Sequence, residues 1–210
     1  MLVRRADKPH SDEEWRSFLR THDFGQLIAP GSGRPLPVVV PTHFVYEGGD
    51  VALLHLARPN PVWRALEESP RGMLTVVGAY TYVTAELNTG PEDEPGYGVP
   101  TSYYAAVQVG GRAEVVDDPA ELAELLNAQL RHFEPGRTGP PVDTSNPYAK
   151  LLPAIRGIRF HFEEVRAKFK FGGNRHPEHA RAISEALRER GGDLDVEASL
   201  IQQRRLERPR

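Results

Sequence analysis

The stretch LLHLARPNPVW, residues 53–63, most constrains what this chain can fold into. Its apolar opening reads as a strand that carries one histidine, His55, between apolar neighbours, and Arg58, Pro59, Asn60 and Pro61 then turn it into a helix over 61–69. Asn60 can accept from the first free backbone N–H groups of that helix, and a proline at the first helical position has no N–H to leave unsatisfied. A helix start of this kind, with Arg58 beside it, makes a pocket for an anion such as a phosphate or a propionate. The same residues also describe a plain capped helix after a strand, with His55 a core histidine bonded to a backbone carbonyl.

The rest of the chain supplies more strands than helices. Ser11 and Glu14 form a capping box for a first helix striped by Trp15, Phe18 and Leu19. Strands follow at 24–29 and at 36–46, the second interrupted by Pro41 and carrying Thr42 and His43. Glu47-Gly48-Gly49-Asp50 makes a hairpin into the strand that holds His55. A strand at 72–83 is rich in β-branched and aromatic residues. The run TAELNTGPEDEPGYGVPTS at 84–102 has the length and composition of a functional lid or a disordered loop. A strand at 103–116 with a Gly110-Gly111 bend precedes a helix begun by Asp118, Pro119 and Glu121 and striped by Leu122, Leu125, Leu126, Leu130 and Phe133. A short helical piece lies at 148–152, and alternation of Ile158, Phe160 and Phe162 with Arg159, His161 and Glu163 marks a strand with one wet face. A C-terminal helix begins near Pro177 and gives way to a frayed end rich in arginine (Arg204, Arg205, Arg208, Arg210).

Tight hairpins and few strand–helix–strand alternations favour antiparallel pairing, so the expected class is mainly β, an antiparallel barrel with peripheral helices. No glycine-rich loop joins a strand to a following helix, which disfavours a dinucleotide-binding parallel sheet. The 210 residues fit one domain over 1–175 with a C-terminal helical extension over 176–210. The chain has no cysteine, which removes disulfides, thiolate zinc sites, iron–sulfur ligation and a cysteine nucleophile. A net charge of −3 gives no global attraction for nucleic acid or an anionic membrane. Neither a signal peptide nor a long apolar run is read, so a cytoplasmic location is expected. Among the other histidines, His43 is the second candidate ligand. His161 is expected to face solvent, and His176 and His179, three apart at a helix start, have no evident further ligand. His10, His22 and His132 fall on the arm or on exposed helical positions.

Four signatures in order carry a family resemblance: PTHF (41–44), HLARPNPVW (55–63), VPTSYYAAVQVGGRAEVV (99–116) and the IRGIRF…AKFKFGGNR tail (155–175). The chain resembles the PaiB-type proteins, described as FMN-binding negative transcriptional regulators, which implies an antiparallel FMN-binding split barrel. Where those flavin proteins read SPSWY, VPTWNY and KLSQN, this chain has Thr84-Ala85-Glu86-Leu87-Asn88, Val99-Pro100-Thr101-Ser102-Tyr103-Tyr104 and Lys170-Phe171-Gly172-Gly173-Asn174. Such changes remove partners for buried cofactor edges at ~1–3 kcal/mol each.

In these departures the chain is similar to the heme-dependent piperazate synthases, which close N5-hydroxy-L-ornithine into L-piperazic acid by forming an N–N bond. That resemblance implies heme b with His55 as axial iron ligand, Arg58, Lys170 and Arg175 toward the propionates, and cofactor contacts from Asn60 and Asn174. It also implies Glu86 as the group that holds or deprotonates the α-ammonium, with Tyr103 or Tyr104 relaying a proton. A homodimer is implied as well. The alternatives are an FMN-binding oxidoreductase or regulator, and a DNA-binding repressor, although no helix-turn-helix pattern is visible.

Overall fold

A computed structural model of the protein describes residues 1–90, 94 and 96–207; residues 91–93 and 95, within the acidic run, and 208–210, with Arg208 and Arg210, lie outside the described residues. Six strands, β1 (Phe24–Ala29), β2 (Val38–His43), β3 (Val51–Ala57), β4 (Arg71–Val83), β5 (Thr101–Val116) and β6 (Ile155–Lys170), form one sheet in the order β2-β1-β4-β5-β6-β3. The helices are α1 (Asp12–Thr21), α2 (Val62–Glu68), α3 (Pro119–Phe133), α4 (Pro177–Arg190) and α5 (Asp195–Glu207), with short 3-10 turns between. The β1–β2, β1–β4 and β3–β6 pairings are all antiparallel, the first joined by the turn at 30–37. No helix among the described residues is long and apolar enough to cross a membrane.

The chain divides into two compact units, one of residues 16–76 and 108–165 and one of residues 1–15, 77–107 and 166–210. In the first, β3 buries both of its faces. Ala52, Leu54 and Leu56 enter the core, while Leu53 and His55 point to the side covered by α3. The α3 start matches its sequence signal: Asp118 accepts from the backbone N–H groups of Ala120 (2.9 Å) and Glu121 (3.0 Å), with Pro119 following. Its stripe then packs with Val116, Val142 and Leu152 into a core cluster that Leu53, Tyr148 and Ile155 join. Gly111 permits a close approach, since a β-carbon there would lie 2.0 Å from the His161 carbonyl oxygen.

In the second unit, α4 and α5 pack together through small residues: the Ser184 and Ser199 hydroxyls meet at 2.7 Å, and Ser199 Oγ donates to the Ser184 carbonyl at 2.9 Å. The end expected to fray is ordered to Glu207. Arg205 is nearly buried, paired with Glu14 at 2.5 Å and lying over the Phe169 ring. The buried Asp195 carboxylate receives Arg190 (2.6 and 2.7 Å), the Gly192 N–H (3.0 Å) and the Thr81 hydroxyl. These donors, Arg190 foremost, hold it far below the usual carboxylate range. The strand marked by the 158–163 alternation is longer than that alternation, since β6 runs for 16 residues.

Candidate functional site

His55 stands in the middle of β3, directly across the antiparallel ladder from Gly157. Its Nδ1 lies 2.5 Å from Oε1 of Gln129, on α3. Gln129 is buried, and its Nε2 donates to the Leu53 carbonyl at 3.3 Å, which orients the amide so that Oε1 faces the histidine. An amide oxygen only accepts, so Nδ1 carries the proton and Nε2 keeps its lone pair. The imidazole is thus set in one tautomer by a neighbour that is itself tied to the backbone.

The ring lines a cavity of about 690 Å³ together with His43, Gln129, Phe133, Arg137 and Tyr148, the other walls being mainly aliphatic side chains from α3 and residues 142–155. His43 meets the His55 ring edge-on at 5.0 Å between centroids and Phe133 at 5.2 Å. Burial foremost, and then the repulsion that a protonated His55 would exert, hold His43 below the ordinary histidine value. The donor set suits an iron porphyrin: one neutral imidazole with an oriented outer ring nitrogen, facing a largely apolar chamber of cofactor size. Among the described residues no group of three or more histidine, aspartate or glutamate side chains could hold a bare metal ion.

The structure distributes the expected site residues unevenly. Asn60 accepts from the Val62 N–H at 3.0 Å, as its capping role predicts. The helix it starts has only 7 residues. Arg58 turns away from that helix end, giving its donors to the carbonyls of Pro153 (2.8 Å) and Ile155 (3.2 Å) and to Asp117 (3.2 Å). Of the expected anion cradle, Arg58 thus gives donors to the protein's own acceptors.

Glu86, Tyr103, Tyr104, Lys170, Asn174 and Arg175 belong to the other unit. There Lys170 donates to the Thr101 hydroxyl at 2.6 Å, while Lys168 lies over the Tyr104 ring at 5.4 Å. Glu86 and Asn174 are exposed. Tyr103 is buried against Phe171, and burial raises its phenol above the usual value, with the charge of Arg175 opposing. Its hydroxyl and both polar atoms of Gln202 are buried without hydrogen-bond partners. Gly172, at a φ of 71°, makes the turn beside them, where a β-carbon would fall 2.3 Å from the tyrosine oxygen.

Other histidines find structural work. His132, expected to be exposed, pairs with Asp23 at 2.8 Å, and His161 with Glu114 at 2.7 Å. Gln129, Arg137 and Tyr148 are site residues that sequence reasoning missed. The available signal for Gln129 was a polar side chain inside the apolar stripe, three residues after Leu126 and four after Leu125.

A family model described as "Putative FMN-binding domain" matches residues 1–164. Among solved structures, the chain is similar to the FAD and heme binding protein from Mycobacterium smegmatis, with 23% identity, TM-score 0.60, and 78% of this chain and 73% of that one covered. It is also similar to the flavocytochrome Anf3 from Azotobacter vinelandii, with 24% identity, TM-score 0.60, and 78% and 69% covered. The conserved hypothetical protein Rv2991 from Mycobacterium tuberculosis matches with 18% identity, TM-score 0.55, and 81% and 91% covered. These likenesses establish the split-barrel fold. No curated protein matches the chain.

Proposed function

The chain belongs to this FMN-binding-domain family, and from that premise we propose that it is a heme-binding member acting as a piperazate synthase, closing N5-hydroxy-L-ornithine to L-piperazic acid. The observation that carries the heme reading is the contact between His55 Nδ1 and Gln129 Oε1 at 2.5 Å. It leaves Nε2 as the one atom of the ring able to bind iron, in a cavity large enough for a flat cofactor. One fold neighbour is described as binding both FAD and heme.

When bound, heme iron supplies a Lewis acid able to polarise the N–O bond of a hydroxylamine. The chain's own residues hold and shelter the reactants. His55 would hold the cofactor from the β3 side, against the aliphatic walls and Phe133. Holding the substrate in a folded pose turns ring closure into a favourable intramolecular event, with ~7–11 kcal/mol of barrier at stake. The α-nitrogen bonds to N5 as the N5–O bond breaks, and the proton lost from the α-ammonium leaves with hydroxide as water, so the reaction is redox-neutral. The resemblance to that branch gives Glu86 the role of taking the proton, with Tyr103 or Tyr104 relaying it.

The reading is tested by adding hemin to the purified protein and recording the spectrum. A sharp Soret band is expected, and His55→Ala should lose both that band and the conversion of N5-hydroxy-L-ornithine. A variant that retains both overturns the assignment. The family match favours one other reading, an FMN protein, for which the protein would take up FMN and give no Soret band.

A further inference from the structure

Among the described residues lining the His55 cavity, Arg137 brings the only formal positive charge and its partner Glu134 the only formal negative one. Its Nη1 donates to Glu134 at 3.0 Å, and its Nη2 to the Pro140 carbonyl at 3.2 Å and the Tyr148 hydroxyl at 2.7 Å. Its Nε is buried with no partner at all. Buried donors are rarely left unmet, so an orphaned guanidinium N–H in a residue lining a cavity points to a missing acceptor. Tyr148 also lines the cavity, and since its oxygen accepts from Arg137, its own proton remains to be donated. The Glu134 carboxylate is half exposed, so solvent screens it and the guanidinium keeps its attraction for a second anion.

We propose that Arg137 Nε and the Tyr148 hydroxyl form the carboxylate-binding end of this cavity, for a ligand whose remaining body is received by the aliphatic walls. The inference deepens the function proposed above and rests on the cavity being the cofactor and substrate chamber. Two sources present the required chemistry, a porphyrin propionate and the carboxylate of an amino-acid substrate. An arginine in this setting suits either, because charge-assisted bonds to a carboxylate are the strong class.

Metal-free protoporphyrin IX and its dimethyl ester separate the sources, since the ester keeps the macrocycle and removes both anions. The wild-type protein is titrated with each by fluorescence and with L-ornithine by calorimetry, alongside Arg137→Gln and Tyr148→Phe, all checked for folding by circular dichroism. A preference for the diacid over the diester of about tenfold, abolished in Arg137→Gln and weakened in Tyr148→Phe, assigns the site to a propionate. An unchanged porphyrin preference with L-ornithine binding weakened about tenfold assigns it to the amino-acid carboxylate. If the wild-type protein neither prefers the diacid nor binds L-ornithine, or if neither variant alters either ligand, the proposal is overturned. No iron is present in these titrations, so their outcome does not depend on a bond from His55 Nε2. Failure of iron ligation is thereby read separately from failure of the carboxylate site.

Discussion

Gly157 faces His55 directly across the β3–β6 ladder, and α3 fills the space where its side chain would be. A β-carbon there would lie 2.9 Å from Leu125 Cδ1, 3.1 Å from Val116 Cβ and 3.2 Å from Leu122 Cδ1. Gly157→Ala must therefore crowd the Leu125 and Leu122 side chains of α3, the helix that carries Gln129, and Val116 of β5. Overpacking of this kind costs about 1–3 kcal/mol, to be read from denaturant melts. Hemin uptake should weaken in parallel. A variant as stable as the wild-type protein would show that these side chains make room at no cost.

Gln129 is the second test. Gln129→Leu removes the acceptor that fixes the His55 tautomer and should weaken hemin binding by about 10–100-fold, the usual cost of losing such an outer partner. Gln129→Glu keeps an acceptor at the same reach and should retain the Soret band. Equal spectra for the two variants would mean that the amide does not orient the ring.

Asp195 provides a pH-dependent prediction. Its carboxyl is depressed in the folded protein, chiefly by Arg190, then by the Thr81 hydroxyl and the Gly192 N–H. A depressed acid stabilises the fold fully above its unfolded value of about 3.9 and loses that contribution as the pH falls toward the folded value. Asp195→Asn should cost about 1–3 kcal/mol at neutral pH, a range appropriate to a broken buried network whose arginine is partly solvated. The gap between variant and wild type should narrow below about pH 4, measured by urea melts at several pH values. A gap that stays constant with pH would remove the ionic contribution.

Tyr103 carries the opposite sign. Burial raises its phenol, so its contribution to stability is complete below the unfolded value of about 10 and declines only as the pH rises toward the folded value. Tyr103→Phe should remove absorbance change from the high-pH side of the ultraviolet tyrosinate titration, because this phenol ionises above the ordinary value. A loss confined to the low-pH side would contradict its burial.

Much of the frame was legible because local chemistry and global fold agree. Strand β1 lies where an apolar run before the PGSGRP turn placed it, and the start of α3 follows from the Asp118–Pro119 cap. His55 was legible as a half-buried imidazole on a strand, while its partner was not, since Gln129 comes from 74 residues away. Strand β6 was read short because Glu163 and Glu164, adjacent and both exposed, interrupt its alternation. Helix α5 escaped notice for a different reason. Its buried face is Asp195, Ala198, Ser199, Ile201 and Gln202, a small and polar set with no apolar stripe to detect. The partners of Arg58 were not legible, because a free guanidinium beside a helix start looks identical in sequence to one that donates to distant carbonyls.

The seven paired positions from Val51↔His161 to Ala57↔Ile155 have a consequence for how the site can be lost. Neighbouring residues of a strand look in opposite directions, so a slip by a single position would rotate the imidazole into the core and present a leucine to the chamber. One residue deleted from the Glu47–Asp50 turn could thus blind the protein to its ligand with every wall of the chamber still in place.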